Sequence, residues 1–305
     1  MNRHIGHPGA KPCQAKEILL KLISYVHLGR ESWGAVVDGK VIDLARPSGC
    51  ATLAEFVGSD RFAQRDTLID GQAPVGRFED VQLLPVIPRP EKIWCAVRNY
   101  MDHHNEALAA GLQRELSEFP PLFLRTWRSQ TAHGAPIVLP RVSETLDWEG
   151  ELAVIIGQGG RNIAESQAYA HVAGYACYNE GSIREWQFHA KQIATGKNFE
   201  STGGFGPWMV TADEIEPGAA LKLEVRLNGE VVQSSDTGNM IFGIPRLIAY
   251  CSTISTLAPG DLIVTGTPAG VGFARKPPRY MKAGDVCEVE IEKVGTLRNP
   301  IVAQA

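Results

Sequence analysis

An acidic run, DWEGE at positions 147–151, could bind a cation. It continues directly into LAVIIG, an apolar segment that is typical of a buried strand. Side chains of a strand alternate between its faces, so Asp147, Glu149 and Glu151 are predicted to share one face. Like charges at such positions repel each other, and they are stable either in solvent or around a cation. An exposed strand end is the simpler interpretation, but the buried strand that follows favours an interior cavity.

Glu180, in the stretch GYACYNEGSIREWQ, is a second acidic candidate. The apolar strand in this stretch is predicted to end at Tyr178, so that residues 179–182 form a turn. Arg184 and Gln187 are three residues apart, which places both on one side of the helical turn that follows. An acidic residue at a strand end is a common ligand position and also a common solvated loop tip, so Glu180 alone is weak evidence.

His103 and Glu106, in the stretch RNYMDHHNEA, could form a catalytic pair. Residues at positions i and i+3 of a helix lie on the same face. A carboxylate bound to one imidazole nitrogen sets the tautomer and makes the other nitrogen more basic, as a water-activating base requires. The alternative is an ordinary surface histidine, and we interpret the neighbouring His104 in that way.

Two glycine-containing loops could contact a ligand. The first, TGKNF at positions 195–199, offers the charge of Lys197, although on its own it is equally typical of a surface lysine. The second, GTPAGVG at positions 266–272, follows the strand-like segment LIVT and is predicted to be a binding loop. It lacks the pattern of a phosphate-binding loop.

The elements that must position these residues predict an α+β fold. Asp38-Gly39 and Asn228-Gly229 favour tight hairpin turns, and short β-type runs dominate from residue 147 onward. We therefore expect mixed, mainly antiparallel sheets in a β-roll or flattened barrel, preceded by a small N-terminal β-rich subdomain. The predicted regions are a disordered extension at 1–16, a small domain at 17–85 that ends in a proline-rich linker, and a catalytic domain at 86–305.

Helical segments are fewer than strands. Candidates are residues 52–57, 164–170 and 243–254. Leu108, Leu112, Leu116 and Phe119 also recur at helical spacing ahead of two prolines. This apolar stripe predicts a helix packed on the core, with a lid over a pocket as the alternative.

Bulk properties exclude several classes of protein. A net charge of -4 gives no reason to expect a nucleic-acid partner. No apolar run approaches the roughly 20 residues of a membrane helix, so no membrane association is expected. The six cysteines are scattered without a C-x-x-C pair, which favours neither a thiolate metal site nor a disulfide framework and predicts a cytoplasmic setting.

Taken together and in order, these stretches resemble the fumarylacetoacetate hydrolase superfamily. The similarity extends from about residue 91 to residue 302. The matching stretches are RNYMDHHNEA, PPLFLR, DWEGELAVIIG, GYACYNEGSIREWQ, GKNF, GPWMV, LNGEVVQ, LAPGDLIVTGTPAGVG and AGDVCEVEI. Each is modest alone, and their shared order is specific.

The resemblance implies a β-roll catalytic domain, usually dimeric, so a homodimer is expected. It implies that Glu149 and Glu151 bind a divalent cation together with a third carboxylate, here Glu180. It also implies that His103 and Glu106 activate water. The residues it implies at the substrate are Arg184, Gln187, Lys197 and Thr267, to which we add Arg98 and Tyr100 from the histidine stretch.

Two positions depart from the family pattern. The third ligand is usually aspartate, and Glu180 is longer by one methylene, about 1.5 Å. The lysine that often follows P-x-x-F-x is Arg125 here. Both changes concern the identity of the substrate more than the fold.

An all-carboxylate site favours a hard cation, Mg²⁺ or Mn²⁺, with Ca²⁺ as a further option. Three carboxylates and one divalent ion leave a negative charge, which Arg98, Arg184 and Lys197 could offset for a small anionic oxo-acid substrate. The predicted activity is hydrolysis of a C–C bond in a 1,3-diketo or acylpyruvate-type acid, with Lys197 stabilising the enolate. The alternatives are isomerisation, tautomerisation or decarboxylation at the same site and, less favoured, a non-catalytic binding protein.

Overall fold

The computed structural model describes residues 19–109 and 116–305. The predicted extension at 1–16 and Leu112 of the apolar stripe lie outside the described residues. Within the two described ranges, no helix is long and apolar enough to cross a membrane.

Strands are the most frequent elements. The N-terminal strands are β1 (Lys21–His27), β2 (Arg30–Val37), β3 (Lys40–Asp43), β4 (Pro74–Arg77) and β5 (Gln82–Leu83). The later strands are β6 (Ile93–Ala96), β7 (Leu122–Arg125), β8 (Gln130–Ala132), β9 (Ile137–Leu139), β10 (Leu146–Asp147), β11 (Gly150–Ile156), β12 (Val172–Glu180), β13 (Ser182–Ile183), β14 (Gly203–Thr211), β15 (Lys222–Leu227), β16 (Glu230–Asp236), β17 (Leu262–Val264), β18 (Val286–Ile291) and β19 (Gly295–Ala303). The α-helices are α1 (Ala45–Ser48), α2 (Leu53–Val57), α3 (Met101–Ala109), α4 (Arg184–Gln187) and α5 (Ile244–Ile254).

A large mixed sheet and a smaller one confirm the predicted α+β fold. The large sheet has the order β4-β3-β2-β1-β14-β12-β11-β17-β6-β7, with β5 on β1 and β8 on β14. The smaller sheet has the order β16-β15-β18-β19-β9. Most pairings are antiparallel, and in the part of the chain that is described the large sheet stays open instead of closing into a barrel.

The predicted hairpin turns are confirmed by the backbone. Asp38 and Gly39 have φ angles of 47° and 72°, and Asn228 and Gly229 have φ angles of 54° and 82°. Two consecutive positive φ angles match the tight turn that suits the twist of a hairpin.

The N-terminal strands belong to the same sheet as the strands of the larger region. Lys21 of β1 pairs with Val210 of β14. Leu22 also lies in one hydrophobic cluster with Val264 of β17. The domain boundary at residue 85 stays a prediction, and the shared sheet and core show why local sequence features cannot place it.

The prediction that the apolar stripe packs on the core is wrong for those of its residues that the structure describes. Leu108, Leu116 and Phe119 are 43%, 50% and 47% exposed. Instead, the buried side of α3 carries His104, which the sequence interpretation had placed on the surface. The lid alternative stays a prediction. The helix expected at 164–170 is a 3₁₀ helix, Glu165–His171.

His133, which follows β8, gives the fold a specific dependence on pH. Its Nδ1 accepts a hydrogen bond of 3.1 Å from the backbone N–H of Arg298 in β19. Burial, with the charge of Arg298, lowers the pKa of His133 from 6.5 to about 4. As the pH falls, the unfolded chain therefore takes up this proton before the folded protein does, and stability present above pH 6.5 is lost towards pH 4.

We expect the change in unfolding free energy between pH 7 and pH 4.5 to be smaller for His133→Gln than for the wild type by about 2–3 kcal/mol. Glutamine keeps an acceptor for Arg298 but does not titrate. Urea denaturation at both pH values measures the difference, with His27→Gln as the control. An equal pH dependence of wild type and His133→Gln would contradict the assignment.

Candidate active site

The three glutamates lie on two neighbouring strands of the large sheet or directly before one of them. Glu151 of β11 lies opposite Tyr178 of β12, and Glu180 is two residues further along β12 on the same face. Glu149 precedes β11, and its carbonyl accepts the backbone N–H of Glu180 at 2.8 Å. Strand pairing thus brings the carboxylate of Glu180 to those of Glu149 and Glu151, which are distant from it in sequence.

Gly150, between two of these glutamates, is required by packing. A Cβ atom at this position would lie 2.2 Å from Cγ2 of Val225 in the smaller sheet. The missing side chain lets β11 approach that sheet closely. The E-G-E pattern therefore combines two acidic residues on one side with a close contact on the other.

Glu149, Glu151 and Glu180 form a buried cluster. One carboxylate oxygen from each lies within 4.8 Å of the others. The residues are 5%, 1% and 1% exposed. The longer side chain of Glu180 thus reaches the other two carboxylates. The turn predicted at residues 179–182 is wrong, because Glu180 is the last residue of a strand that pairs with β11 and β14.

Three cationic side chains surround the cluster. Nζ of Lys197 lies 3.0 and 2.9 Å from the two carboxylate oxygens of Glu149 and 2.7 Å from Oε2 of Glu180. Nη1 of Arg184 lies 2.6 Å from Oε1 of Glu149. Nη1 of Arg125 lies 3.9 Å from Oε1 of Glu180. The two departures from the family pattern, Arg125 and Glu180, are therefore neighbours in space.

Two carboxyl groups of the cluster, Glu149 and Glu151, have pKa values that are shifted in opposite directions. Burial favours a raised pKa for Glu149, but the charges of Lys197 and Arg184 outweigh it and hold this pKa well below its ordinary value. Burial, together with the charges of Glu180 and Glu149, raises the pKa of Glu151 well above its ordinary value. Glu151 is thus the carboxylate whose charge is least compensated.

The carboxylate oxygens of the three glutamates fit a hard divalent cation as ligands. Oε1 of Glu151 and Oε1 of Glu180 are buried and have no hydrogen-bond partner among the described residues. Buried acceptors without partners are rare because they lose hydration without compensation. Closely spaced carboxylate oxygens are the ligands that Mg²⁺ and Mn²⁺ prefer.

The predicted histidine–glutamate pair is formed on α3. Nδ1 of His103 lies 2.9 Å from Oε2 of Glu106. Oε1 of Glu106 accepts the backbone N–H of Gly270 at 2.8 Å. An ionised carboxylate only accepts hydrogen bonds, so it assigns the proton to Nδ1 and leaves Nε2 as the basic nitrogen.

A partly open cavity of about 140 Å³ lies beside the pair. Its polar wall includes the predicted site residues Arg98, His103, Glu106, Arg184 and Gln187. Its other lining residues are Val97, Phe188, Ala190, Lys191, Ile193, Val271, Phe273 and Ala274. Arg184 connects the cavity to the carboxylate cluster, because it also contacts Glu149.

Three predicted site residues lie elsewhere. Lys197 lies within the carboxylate cluster instead of on the cavity wall. The Thr267 hydroxyl donates to the carbonyl of Gly150 at 3.0 Å and accepts from Nε2 of Gln233 at 2.9 Å. Tyr100 is fully buried, and burial raises its pKa. Substrate contact by these residues stays a prediction.

The sequence interpretation missed the apolar half of the cavity and the contact of Asp147 with Arg184. Phe188 and Phe273 face each other with ring centroids 5.5 Å apart. Phe188 follows the stretch that contains Arg184 and Gln187, and Phe273 follows the glycine-containing loop at 266–272, so an aromatic residue just after each motif was the available signal. Asp147 accepts a hydrogen bond from Nε of Arg184 at 2.8 Å.

A buried acidic cluster that could hold a metal ion thus lies beside the His103–Glu106 pair and a cavity. The model of the fumarylacetoacetate (FAA) hydrolase C-terminal family matches residues 92–302. The chain belongs to the fumarylacetoacetate hydrolase family, as its sequence motifs indicated.

Relatives of this chain include enzymes with different reactions. The mitochondrial oxaloacetate tautomerase of Xenopus laevis is 34% identical over 99% of this chain and 96% of its own length. The structure of a fumarylacetoacetate hydrolase from Exiguobacterium antarcticum is 33% identical, with a TM-score of 0.81, and covers 93% of this chain and 100% of its own. The structure of maleylpyruvate hydrolase from Sphingobium sp. SYK-6 with manganese(II) and pyruvate is 25% identical, with a TM-score of 0.77 and the same coverage.

The predicted cytoplasmic location stays a prediction. The relative from Xenopus laevis does not support it, because that protein is named as mitochondrial.

Proposed function

We propose that the protein is a divalent-metal-dependent hydrolase that cleaves a C–C bond in a small 1,3-diketo acid of the acylpyruvate type. The observation that carries the proposal is the cavity beside His103 and Glu106. One wall is polar and cationic, which suits an oxo-acid group. The other wall, with Phe188, Phe273 and Val271, suits an apolar acyl group.

Glu149, Glu151 and Glu180 are the residues that would hold the cation. Mg²⁺ or Mn²⁺, when bound, supplies Lewis-acid polarisation of carbonyl and enolate oxygens. Two of the three carboxylates have an oxygen without a partner among the described residues. The cationic side chains around the cluster favour a small anionic ligand over a neutral one.

His103 is the base in the proposed reaction. Its Nε2 removes a proton from water, while Glu106 holds the ring and stabilises the imidazolium. The water oxygen bonds to the distal carbonyl carbon and gives a tetrahedral oxyanion. When the oxyanion collapses, the C–C bond breaks and its electron pair leaves in the enolate of pyruvate. The proton on His103 then passes to the enolate carbon, which gives pyruvate and a carboxylic acid.

Tautomerisation of oxaloacetate is the second candidate. It is favoured by the relative from Xenopus laevis, whose similarity extends over nearly the whole chain. The same base would move a proton between the carbon and the oxygen of the substrate, without attack by water. His103 is therefore needed in both reactions, and the products distinguish them.

We expect the Mn²⁺-loaded protein to release pyruvate from acylpyruvates, which a lactate dehydrogenase assay detects, and His103→Asn to lower this rate about 10²–10⁴-fold. His171→Asn is the control for a histidine outside the cavity. Conversion of the oxaloacetate enol, followed by its ultraviolet absorbance, is measured in parallel. Enol conversion without pyruvate release from any acylpyruvate would favour the second candidate.

A further inference from the structure

Asp147 is a fully buried carboxylate that the proposed reaction does not use. Its Oδ1 accepts the backbone N–H groups of Trp148 at 2.9 Å and Gly272 at 2.8 Å. Its Oδ2 accepts Nε of Arg184 at 2.8 Å and the backbone N–H of Phe273 at 2.9 Å. Both oxygens are thus occupied by donors, which leaves Asp147 poorly suited to bind a cation or transfer a proton.

Two of the four residues that Asp147 binds, Arg184 and Phe273, line different parts of the cavity wall. Arg184 contributes to the polar wall, and Val271 and Phe273 belong to the apolar wall. Residues 270–273 are also held at their other end, where Gly270 donates to Glu106 of the catalytic pair. Asp147 and Glu106 therefore fix one loop from two sides.

The loop has little freedom to move elsewhere. A Cβ atom at Gly272 would lie 1.8 Å from the carbonyl oxygen of Arg279, and one at Gly270 would lie 2.4 Å from that of Val232. Such close backbone contacts require glycine and restrict the loop to a narrow range of positions. Within this loop, the backbone N–H groups of Gly272 and Phe273 donate to Asp147.

Arg184 has a donor that remains available. Its Nε binds Asp147, and its Nη1 contacts Glu149 and Oε1 of Gln187. Its Nη2 has no hydrogen-bond partner among the residues that the structure describes, although Arg184 is only 6% exposed. A guanidinium that is held at two of its three nitrogens presents the third in a defined direction.

We propose that Asp147 is a positioning residue that sets Arg184 and residues 270–273 so that Nη2 of Arg184 binds a carboxylate of the ligand. The inference rests on the proposed function only in requiring an anionic ligand. It holds equally for hydrolysis and for tautomerisation. It assigns Asp147, at the start of the acidic run, a role different from that of Glu149 and Glu151.

The test is the affinity of the full-length protein for oxalate at saturating Mn²⁺, measured by calorimetry. An amide in Asp147→Asn presents an acceptor on one side and an NH₂ group on the other, so two of the four donors lose their partner. We expect oxalate affinity to fall about 10–100-fold. Mn²⁺ affinity, measured first without oxalate, is expected to stay within about threefold, because Asp147 makes no hydrogen bond to any of the three proposed ligands and is not one of their outer-shell partners.

Two further variants separate positioning from a general structural role. In the Arg184→Gln background, Asp147→Asn is expected to change oxalate affinity less than about twofold, because the two residues act through one contact. Asp261→Asn is the matched control, since Asp261 is also fully buried and accepts backbone N–H groups of Lys92 and Ala258, at 2.9 and 2.7 Å. It is expected to lower stability and leave oxalate affinity unchanged.

Unchanged oxalate binding by Asp147→Asn, or full additivity with Arg184→Gln, would overturn the inference. Failure of the wild type to bind oxalate would also overturn it. Absence of acylpyruvate hydrolysis, with oxalate affinity reduced as expected, would instead contradict only the proposed reaction and leave the role of Asp147 supported.

Discussion

Replacing Lys197 with methionine is expected to lower the unfolding free energy of the metal-free protein by about 3–5 kcal/mol. Lys197 is buried, and its ammonium contacts carboxylate oxygens of both Glu149 and Glu180. Burial alone would lower its pKa, but the charges of Glu149 and Glu180 outweigh this effect and raise it. Methionine retains the unbranched shape and removes the charge, so Glu180 loses its closest cation and Glu149 loses one of its cationic partners.

Urea denaturation in the presence of a chelator measures this effect. Arg128→Met is the surface control, because Arg128 pairs with Glu200 where both side chains are more than half exposed, at 61% and 66%. Exposed pairs contribute about 1 kcal/mol or less, so the control should lose little stability. An equally small loss in Lys197→Met would mean that the cluster does not depend on the lysine charge.

Lys197 also shows where prediction from sequence ends. Its loop was recognised, but a surface lysine was an equally good interpretation of that loop. Contact with Glu149 and Glu180 depends on how β11 and β12 pair and on where the loop before β14 packs. None of these tertiary contacts leaves a periodic signal in the loop itself.

Features that depend on neighbours along the chain were predicted well. The turns at Asp38-Gly39 and Asn228-Gly229 follow from backbone preferences of two residues. The contact of His103 with Glu106 follows from helical spacing. Motif order added the family, and with it the association of the three glutamates, which spacing alone left open.

Features that depend on packing between distant segments were predicted poorly. The apolar stripe of Leu108 and Leu116 indicates an amphipathic helix, but a stripe does not specify which surface, if any, covers it. Alternation placed Asp147 on the same face as Glu149 and Glu151. The structure instead separates β10 from β11, and Asp147 binds the loop at 270–273.

Glu151→Gln is expected to weaken Mn²⁺ binding at least about 100-fold, because it removes a direct ligand where even outer-shell changes cost 10–100-fold. The same change should stabilise the metal-free protein by about 1–3 kcal/mol. Oε1 of Glu151 has no partner among the described residues, and burial with the charges of Glu180 and Glu149 raises the pKa of this carboxylate. Glutamine keeps the acceptor for Gly266 and offers an NH₂ group to the neighbouring carboxylates.

The two effects have opposite signs, and this contrast makes the prediction specific. Calorimetry gives the Mn²⁺ affinity, and urea denaturation with chelator or with excess Mn²⁺ gives the two stabilities. The wild type should be the less stable protein without metal and the more stable one with it, because only a site that binds tightly gains free energy from the ion. Glu290→Gln, at an exposed glutamate of β18, should change neither quantity.

Two outcomes would contradict the prediction. If Glu151→Gln destabilised the metal-free protein, the carboxylate would be part of the packing of the fold. If it left Mn²⁺ affinity intact, the cation would bind elsewhere. Weaker Mn²⁺ binding and a more stable metal-free protein, found together, would show that the site binds a cation at a cost in stability.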